Sequence, residues 1–454
     1  MTRRFGTDGV RGIANVDLTP ELVMALGRAA ARTLGADQFL MGRDTRISGS
    51  MLAAALSAGL AAEGAVVADL GVLPTPGVAW VSAEEKLPAA MISASHNPFP
   101  DNGIKFFAAG GRKLSDEAED HLEAELDALL AAPAGRAPAR RAPTGAALGR
   151  VRTHLGREGY ARALAATLGG RRLDGLSVVV DCAHGAACAV GPEALAAAGA
   201  DVVALNDRPD GTNINAGVGS NHPEGLAAEV VARGADVGLA VDGDADRVVA
   251  VDAAGAVVDG DQLLAVCAVD RQERGLLTGD TVVVTVMANL GFRRAMSERG
   301  IGVFETKVGD RYVLEALEDG GWSLGGEQSG HVIFRDLATT GDGILTGLQV
   351  LDVMARTGRP LADLAAVMTR LPQVLRNVGV ADQDGLVAAD VFWSQVEDVR
   401  RSLGDDGRVL VRPSGTEPVV RVMVEAVSLA EAEAACEALA AGLLRCLGEP
   451  APPA

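Results

Sequence analysis

The chain has 454 residues, room for roughly three domains of about 100–200 residues each. It is 48% hydrophobic and 22% charged, as expected of a globular protein with a large core, and its longest charge-free stretch, 47–62, is too short and too rich in Ser and Gly for a membrane span. Its 60 acids against 41 bases give a net charge of −19, which argues against nucleic acid and membrane partners, and five Cys without a C-x-x-C pair exclude a disulfide scaffold or thiolate zinc site.

The opening MTRRFGTDG has no apolar run after its two Arg, so no secretory signal is expected and a cytoplasmic location is. In chain order, periodicity predicts a helix at 19–34, a strand at 39–42, a helix at 49–63, a strand at 89–93 and a helix at 116–130. Residues 131–150 carry three Pro and no periodicity, and read as a loop closing the first unit. A helix at 153–168, a strand at 177–182, a helix at 187–198 and strands at 202–205 and 237–241 follow, then a hairpin turn over 252–260. A helix at 262–273, strands at 281–287 and 302–306, a helix at 310–318, a strand at 322–325 and a helix at 343–355 complete a third α/β stretch. The alternation implies right-handed βαβ units around mostly parallel sheets. Beyond a break at 357–372 the pattern is strand, helix, strand, strand, helix, which is α+β, and the terminal EPAPPA is expected to fray.

Only four of the bases are Lys: Lys86, Lys105, Lys113 and Lys307. In an Arg-rich chain a Lys inside a motif is informative, because an ammonium can lose its proton and a guanidinium effectively cannot. Lys105 and Lys307 lie in motifs; Lys86 and Lys113 read as ordinary surface residues.

The strongest motif is VGLAVDGDADRVVAVD at 237–252. Asp242, Asp244 and Asp246 follow an apolar strand at i, i+2 and i+4, with Arg247 next. Three carboxylates in one tight turn repel unless a cation sits among them, and hard oxygen ligands favour Mg²⁺ or Ca²⁺. An EF-hand is excluded, since its Gly and Glu positions are Arg247 and Ala253. The plainer alternative is a solvated Asp-rich turn. In MISASHNPFPDNGIKFF, 91–107, a strand leads to Ser95 and His96, then to turn residues and Lys105. Ser95 reads as a nucleophile or phosphate carrier beside a cation; the alternative is that Ser95 and His96 only cap the turn.

LVRPSGTEPVVRV, 410–422, gathers Arg412, Ser414, Gly415, Thr416 and Arg421 between two strands, as an anion nest would. The chain lacks a Gly-Lys dipeptide, and hence a Walker A loop. GGEQSGHVIF, 325–334, offers Glu327, Ser329 and His331 from a Gly-rich loop suited to sugar hydroxyls, with a structural His331 as the alternative. Arg11 sits in a Gly-rich N-terminal loop, FGTDGVRG, and Lys307 and Arg311 in KVGDRY supply cations at a strand-to-helix transition.

Taken along the chain, FGTDGVRG, ISASHNPFPDNGIKFF, VDGDADR, KVGDRYV, GGEQSGH and RPSGTEP, in that order and spanning nearly its whole length, resemble the α-D-phosphohexomutase superfamily, and in wording its bacterial phosphoglucosamine mutases. The resemblance implies three α/β domains with mixed, mostly parallel sheets plus a C-terminal α+β domain around a central cleft. The matching boundaries are 1–152 with the phosphoserine loop, 153–255 with the metal loop, 256–370 with the sugar-recognition loop, and 371–454 with the phosphate clamp. It implies that Ser95 carries the phosphoryl group and that Asp242, Asp244 and Asp246 hold one Mg²⁺ per chain, with the Ser95 phosphate as a further ligand. Arg247 would contact the phosphoserine. Lys105, Arg11 and His96 would line the transfer site, Lys105 being the first choice to move a proton because its pKa can fall among cations. Lys307, Arg311, Glu327, Ser329 and His331 would contact the sugar phosphate. Arg412, Ser414, Gly415, Thr416 and Arg421 would clamp the phosphate that is not reacting.

The implied reaction interconverts glucosamine 6-phosphate and glucosamine 1-phosphate through a hexosamine 1,6-bisphosphate that is both intermediate and primer, feeding UDP-N-acetylglucosamine and cell-wall precursor synthesis. A homodimer and a swinging C-terminal domain are further expectations of the resemblance. The rivals are a phosphomannomutase or phosphoglucomutase, a Mg²⁺-dependent phosphohydrolase, and a non-catalytic sugar-phosphate binder.

Overall fold

The computed structural model describes residues 9–131, 143–414 and 419–448. The chain divides into two compact units. One runs to Met287 and again from Gly300 to Val367; the other consists of Ala288–Arg299 and the chain from Met368.

The first sheet is built from β1 (Val10–Ile13), α1 (Pro20–Leu34), β2 (Gln38–Arg43), α2 (Gly49–Ala62), β3 (Val66–Val72), α3 (Thr75–Glu85), β4 (Ala89–Ile92), β5 (Asp101–Ala108), β6 (Arg112–Lys113), α4 (Asp116–Ala131) and β7 (Val151–Thr153). Its order is β1-β5-β4-β2-β3-β7, with β6 beside β5. Strands β4, β2, β3 and β7 are parallel, and β5 runs against both β4 and β1. Helix α1 starts where the side chain of Thr19 accepts a hydrogen bond from the Leu22 amide ahead of Pro20, and it stops at left-handed Gly35. Phe39, Met41, Val67, Ala90, Ile92, Ile104 and Phe106 form one core with α1, α2 and α4. Helices α1 and α2 approach closely because Gly27 and Gly59 lie at their crossing: a Cβ on Gly59 would come within 2.1 Å of the Met24 carbonyl oxygen.

The second sheet uses α5 (Arg157–Ala166), β8 (Ser177–Asp181), α6 (Val190–Ala197), β9 (Asp201–Leu205), α7 (Glu224–Arg233), β10 (Val237–Val241), β11 (Val248–Asp252) and β12 (Val257–Val258). Its order is β12-β11-β10-β8-β9, parallel through β10, β8 and β9. The third uses α8 (Gly260–Glu273), β13 (Thr281–Thr285), β14 (Gly302–Thr306), α10 (Asp310–Gly320), β15 (Leu324–Gly326), β16 (Val332–Phe334), α11 (Gly343–Thr357) and α12 (Leu361–Ala365), in the order β14-β13-β15-β16. Between β13 and β14 lies α9 (Leu290–Glu298), which belongs to the other unit. That unit also holds β17 (Gln373–Gly379), α13 (Asp390–Leu403), β18 (Arg408–Pro413), β19 (Val419–Glu425) and α14 (Leu429–Leu447). Its antiparallel sheet β17-β19-β18 packs Val420, Val422 and Val424 against Phe392, Cys436 and Leu439 of its helices.

Three readings need correction. Asp101-Asn-Gly, expected as a turn, begins β5, because pairing with β4 on one side and β1 on the other overrides local turn preference. Arg11 therefore lies on β1, opposite Gly103, and not on a loop. The helix expected from 153 starts at Arg157, since Val151–Thr153 pairs with β3 at the sheet edge. Part of the expected loop at 131–150, namely 132–142, lies outside the described residues, as do EPAPPA and the start of FGTDGVRG.

Candidate active site and metal centre

In parallel sheets the carboxyl ends of the strands present the ligand-binding loops. Here the loop after β4 carries Ser95 and the loop after β10 carries the three aspartates, and the two loops touch. Ser95 is buried and donates from Oγ to Asp242 Oδ2 at 2.6 Å. Its backbone is left-handed, with φ 52°, a conformation that is strained for a residue with a Cβ and that persists only where surroundings impose it. Its amide donates to Ser93 Oγ at 3.0 Å.

Asp242, Asp244 and Asp246 are all buried, and one oxygen of each lies within 4.8 Å of the others. Ala245, between them, is also left-handed, at φ 57°. Asp244 Oδ2 accepts from Thr75 Oγ1 at 2.5 Å and from Lys105 Nζ at 2.8 Å, while Asp244 Oδ1 is buried without a hydrogen-bond partner among the described residues. Burial, then the Asp246 and Asp244 charges, push the Asp242 carboxyl well above the ordinary range. Asp246 goes the other way: burial opposes it, but Lys105, His331 and Arg247 hold it well below that range. Three buried carboxylates, one with a buried oxygen lacking a hydrogen-bond partner among the described residues, match a hard divalent cation.

The surrounding cations are placed unevenly. Lys105, on β5, is buried against Asp244 and lies 3.7 Å from Asp246, so carboxylates stand among its partners. Arg247 Nη1 lies 3.2 Å from His96 Nδ1, which is 3.3 Å from Ser95 Oγ. Burial first, then Arg247 and Arg11, drive the His96 pKa down to about 4. His96 is thus neutral at pH 7, and with Arg247 donating, Nδ1 carries the lone pair.

In the third sheet Glu327 follows β15 and accepts from the Gly309 amide at 3.1 Å; Ser329 Oγ is 3.4 Å from its other oxygen. Burial raises the Glu327 pKa. Lys307 is exposed, 6.0 Å from the Tyr312 ring centroid. Two neighbours expected to contact the substrate, Arg311 and His331, are buried. Arg311 is buried and pairs with Asp116 and, at 2.5 Å, with Glu119 on α4. His331 is 2% exposed, with Nδ1 3.8 Å from Asp246 and Nε2 3.7 Å from Asp310. It ties the metal loop to the KVGDRY turn, and although burial opposes protonation, Asp246 raises its pKa.

In the other unit, Arg412 on β18 stands opposite Arg421 on β19. Burial and Arg421 both depress the Arg412 pKa, and like charges directly across a ladder destabilise it unless an anion intervenes. The Ser414 amide donates to the Val419 carbonyl at 2.9 Å, and Gln383 Nε2 donates to both the Ser414 and Val419 carbonyls, closing the base of the loop. Gly415 and Thr416 lie outside the described residues.

Sequence reasoning missed several supporting residues. Asp44 and Arg46 follow β2 at the same sheet end; charged residues directly after a buried strand were the available signal. Thr75, at the start of α3, and Asn215, which bonds the Ser95 carbonyl at 2.9 Å, had none. Lys113, read as a surface residue, donates to Asp310 at 2.5 Å.

Four family models match the chain: Phosphoglucomutase/phosphomannomutase alpha/beta/alpha domain I over residues 2–132, domain II over 158–255, domain III over 259–371, and the C-terminal domain over 373–442. The chain is 55% identical to a protein named phosphoglucosamine mutase of Rhodococcus opacus, over 97% of this chain and 99% of that one. It is 56% identical to one of the same name from Salinispora tropica, over 94% and 95%. Among solved structures, a phosphoglucomutase/phosphomannomutase family protein from Burkholderia thailandensis superposes with a TM-score of 0.79 at 25% identity, covering 98% of each chain. An Aspergillus fumigatus N-acetylphosphoglucosamine mutase, solved with GlcNAc-6P and magnesium, shares the fold at a TM-score of 0.68 and 19% identity, over 98% of this chain and 96% of that one.

Proposed function

The chain belongs to the phosphoglucomutase/phosphomannomutase family, and from that footing we propose that it is a phosphohexomutase interconverting glucosamine 6-phosphate and glucosamine 1-phosphate. The observation that carries this reading is the 2.6 Å contact between Ser95 Oγ and the three-carboxylate loop; the names of its near-full-length relatives support the choice of sugar. Phospho-Ser95 gives its phosphoryl group to O1 of glucosamine 6-phosphate; the Oγ–P bond breaks and the O1 proton ends on Ser95 Oγ. The resulting 1,6-bisphosphate, which also serves as primer, turns end for end and returns its 6-phosphoryl group to Ser95; the Oγ proton ends on O6 and glucosamine 1-phosphate leaves.

Asp242, Asp244 and Asp246, with the Ser95 phosphate, would hold one Mg²⁺, which when bound supplies neutralisation of the charge on the transferring phosphoryl oxygens. This chain's own groups set the geometry. In the unphosphorylated state the Ser95 hydroxyl proton points at Asp242 Oδ2, so Oγ keeps a lone pair for the returning phosphoryl group. Neutral His96 stands 3.3 Å from Oγ, with its Nδ1 facing Arg247. Arg247 and Arg11 balance the phosphoserine charge. Glu327 and Ser329 take sugar hydroxyls, Lys307 takes an anionic edge, and Arg412, Ser414 and Arg421 clamp the unreacting phosphate bidentately. Five free thiols suit the reducing cytoplasm, where we place the protein.

The test pairs two measurements. Purified protein is offered glucosamine, mannose and glucose 6-phosphates, and intact mass is compared for wild type and Ser95→Ala. The expected result is fastest turnover of the glucosamine ester, with a phosphate-sized mass increment absent from an inactive Ser95→Ala. Faster mannose or glucose turnover overturns the substrate; release of inorganic phosphate without isomerisation overturns the reaction.

A further inference from the structure

Arg46 has no role in the reaction as described, yet its side chain is fully buried and all five of its N–H donors are used. Nε donates to Asp44 Oδ2 at 2.8 Å. Nη1 donates to the Pro98 carbonyl and, at 3.0 Å, to that of Asp101. Nη2 donates to the Ser95 carbonyl at 2.9 Å and the Asn97 carbonyl at 2.8 Å. The planar guanidinium is thus the hub on which the loop after β4 is wound. Asp44 completes the frame: its Oδ2 also accepts from Ser93 Oγ at 2.6 Å, and Ser93 Oγ accepts from the Ser95 amide. Asn215 adds Nδ2 contacts to the same Ser95 and Asn97 carbonyls, at 2.9 and 3.0 Å.

Both sides of the Ser95 peptide are therefore gripped, and the residue between is left-handed. A side chain does not hold that conformation unaided. Relaxing it would rotate Cβ and carry Oγ away from Asp242.

We propose that Arg46 is the positioning residue of phosphoryl transfer, its five-donor clamp fixing the carbonyls of the serine loop so that Ser95 Oγ is held against the aspartate cluster. Lysine cannot substitute, because one ammonium nitrogen cannot reach carbonyls along both edges of a guanidinium plane. The proposal rests on Ser95 being the phosphoryl carrier.

The test uses the full chain with glucosamine 6-phosphate. Arg46→Lys and Arg46→Ala are expected to lose about 100-fold or more in kcat, the scale of a misplacement near 1 Å, while KM stays within about threefold because Arg46 is buried away from solvent. Guanidinium at millimolar concentration is expected to restore kcat of Arg46→Ala at least about tenfold without moving KM, and methylammonium is not. Asn215→Ala, which removes a donor to the same carbonyls from a half-buried position, is expected to show a smaller loss confined to kcat. If Arg46→Ala does not fold, Arg46→Lys and Asn215→Ala decide. Unchanged kcat in the variants, a KM rise matching the kcat loss, or no guanidinium rescue of a folded Arg46→Ala overturns the proposal. Wild type inactive on every sugar phosphate refutes the functional reading instead; an active wild type with unimpaired Arg46 variants refutes this inference alone.

Discussion

Replacing Thr75 by valine removes one hydroxyl and keeps the shape of the side chain. That hydroxyl donates to Asp244 Oδ2 at 2.5 Å in a buried setting, and the Thr75 amide separately holds the Asp244 carbonyl at 3.0 Å. The amide contact survives the substitution, so the loop keeps its path and loses only the restraint on its carboxylate. A hydrogen bond to a charged group contributes about 1.5–3 kcal/mol, which at about 1.4 kcal/mol per decade is roughly a 10- to 100-fold change in an equilibrium constant. Part of that loss falls on folding stability. The remainder falls on cation affinity, because a carboxylate that has lost one of its two outer partners and keeps only Lys105 is less well oriented as a ligand. The assay is mutase rate against Mg²⁺ concentration. The Mg²⁺ concentration for half-maximal rate is expected to rise about 10-fold or more, with the rate at saturating Mg²⁺ within about threefold of wild type and Thr75→Ser restoring the midpoint. An unchanged midpoint in a folded Thr75→Val refutes the argument, since it would mean that Lys105 alone suffices to orient Asp244.

The phosphate clamp makes a different prediction: Arg412→Ala or Arg421→Ala is expected to raise KM for the sugar phosphate about 10-fold or more through lost charge-assisted bonds, and initial-rate kinetics check it. A third prediction concerns Asp342, which caps α11 and accepts from Tyr160 Oη at 2.5 Å. Burial pushes its pKa up to about 6 from 3.8. A carboxyl whose folded pKa is raised stabilises the fold below its unfolded pKa and loses that contribution as pH rises through the folded one. The loss is therefore expected between about pH 4 and 6 and amounts to roughly 3 kcal/mol. Asp342→Asn keeps the cap and lacks the charge, so denaturation at pH 4 and pH 7 is expected to favour the variant more at pH 7; a pH-independent difference is the contrary result.

Much of the site was readable because its chemistry is local. Asp242, Asp244 and Asp246 announce themselves by spacing after an apolar strand; Ser95, at another strand's end, is singled out from a turn cap only by the family resemblance of the whole set of segments. What escaped acts across the chain. Thr75 meets Asp244 over 169 residues, and Lys113 meets Asp310 over 197. Direction of side chains was also hidden. KVGDRY does not reveal that Arg311 turns inward to Glu119 while Lys307 remains outside, nor does GGEQSGH reveal that His331 is enclosed by Asp246 and Asp310. The fold shows the same division. Strands such as β8 and β10, with continuous apolar runs, were found, whereas β5 was read as a turn because its Asp-Asn-Gly start is a local signal that two-sided pairing outweighs.

An acidic chain that handles anions looks self-defeating until the charges are located. Acids such as Asp116, Glu117 and Asp120 are exposed on α4, where salt at physiological strength screens them within about 8 Å. Buried charges are screened far less. There, acids and bases are matched pair by pair: Asp44 with Arg46, Glu119 with Arg311, Asp244 with Lys105. Two groups instead gather charge of one sign. The aspartate loop brings three buried carboxylates together, which favours a divalent cation. The Arg412–Arg421 ladder faces two guanidiniums across one strand pair, which favours a phosphate. Net charge sums over the whole chain and is screened at its surface, so it leaves these two clusters free to select ions of opposite sign.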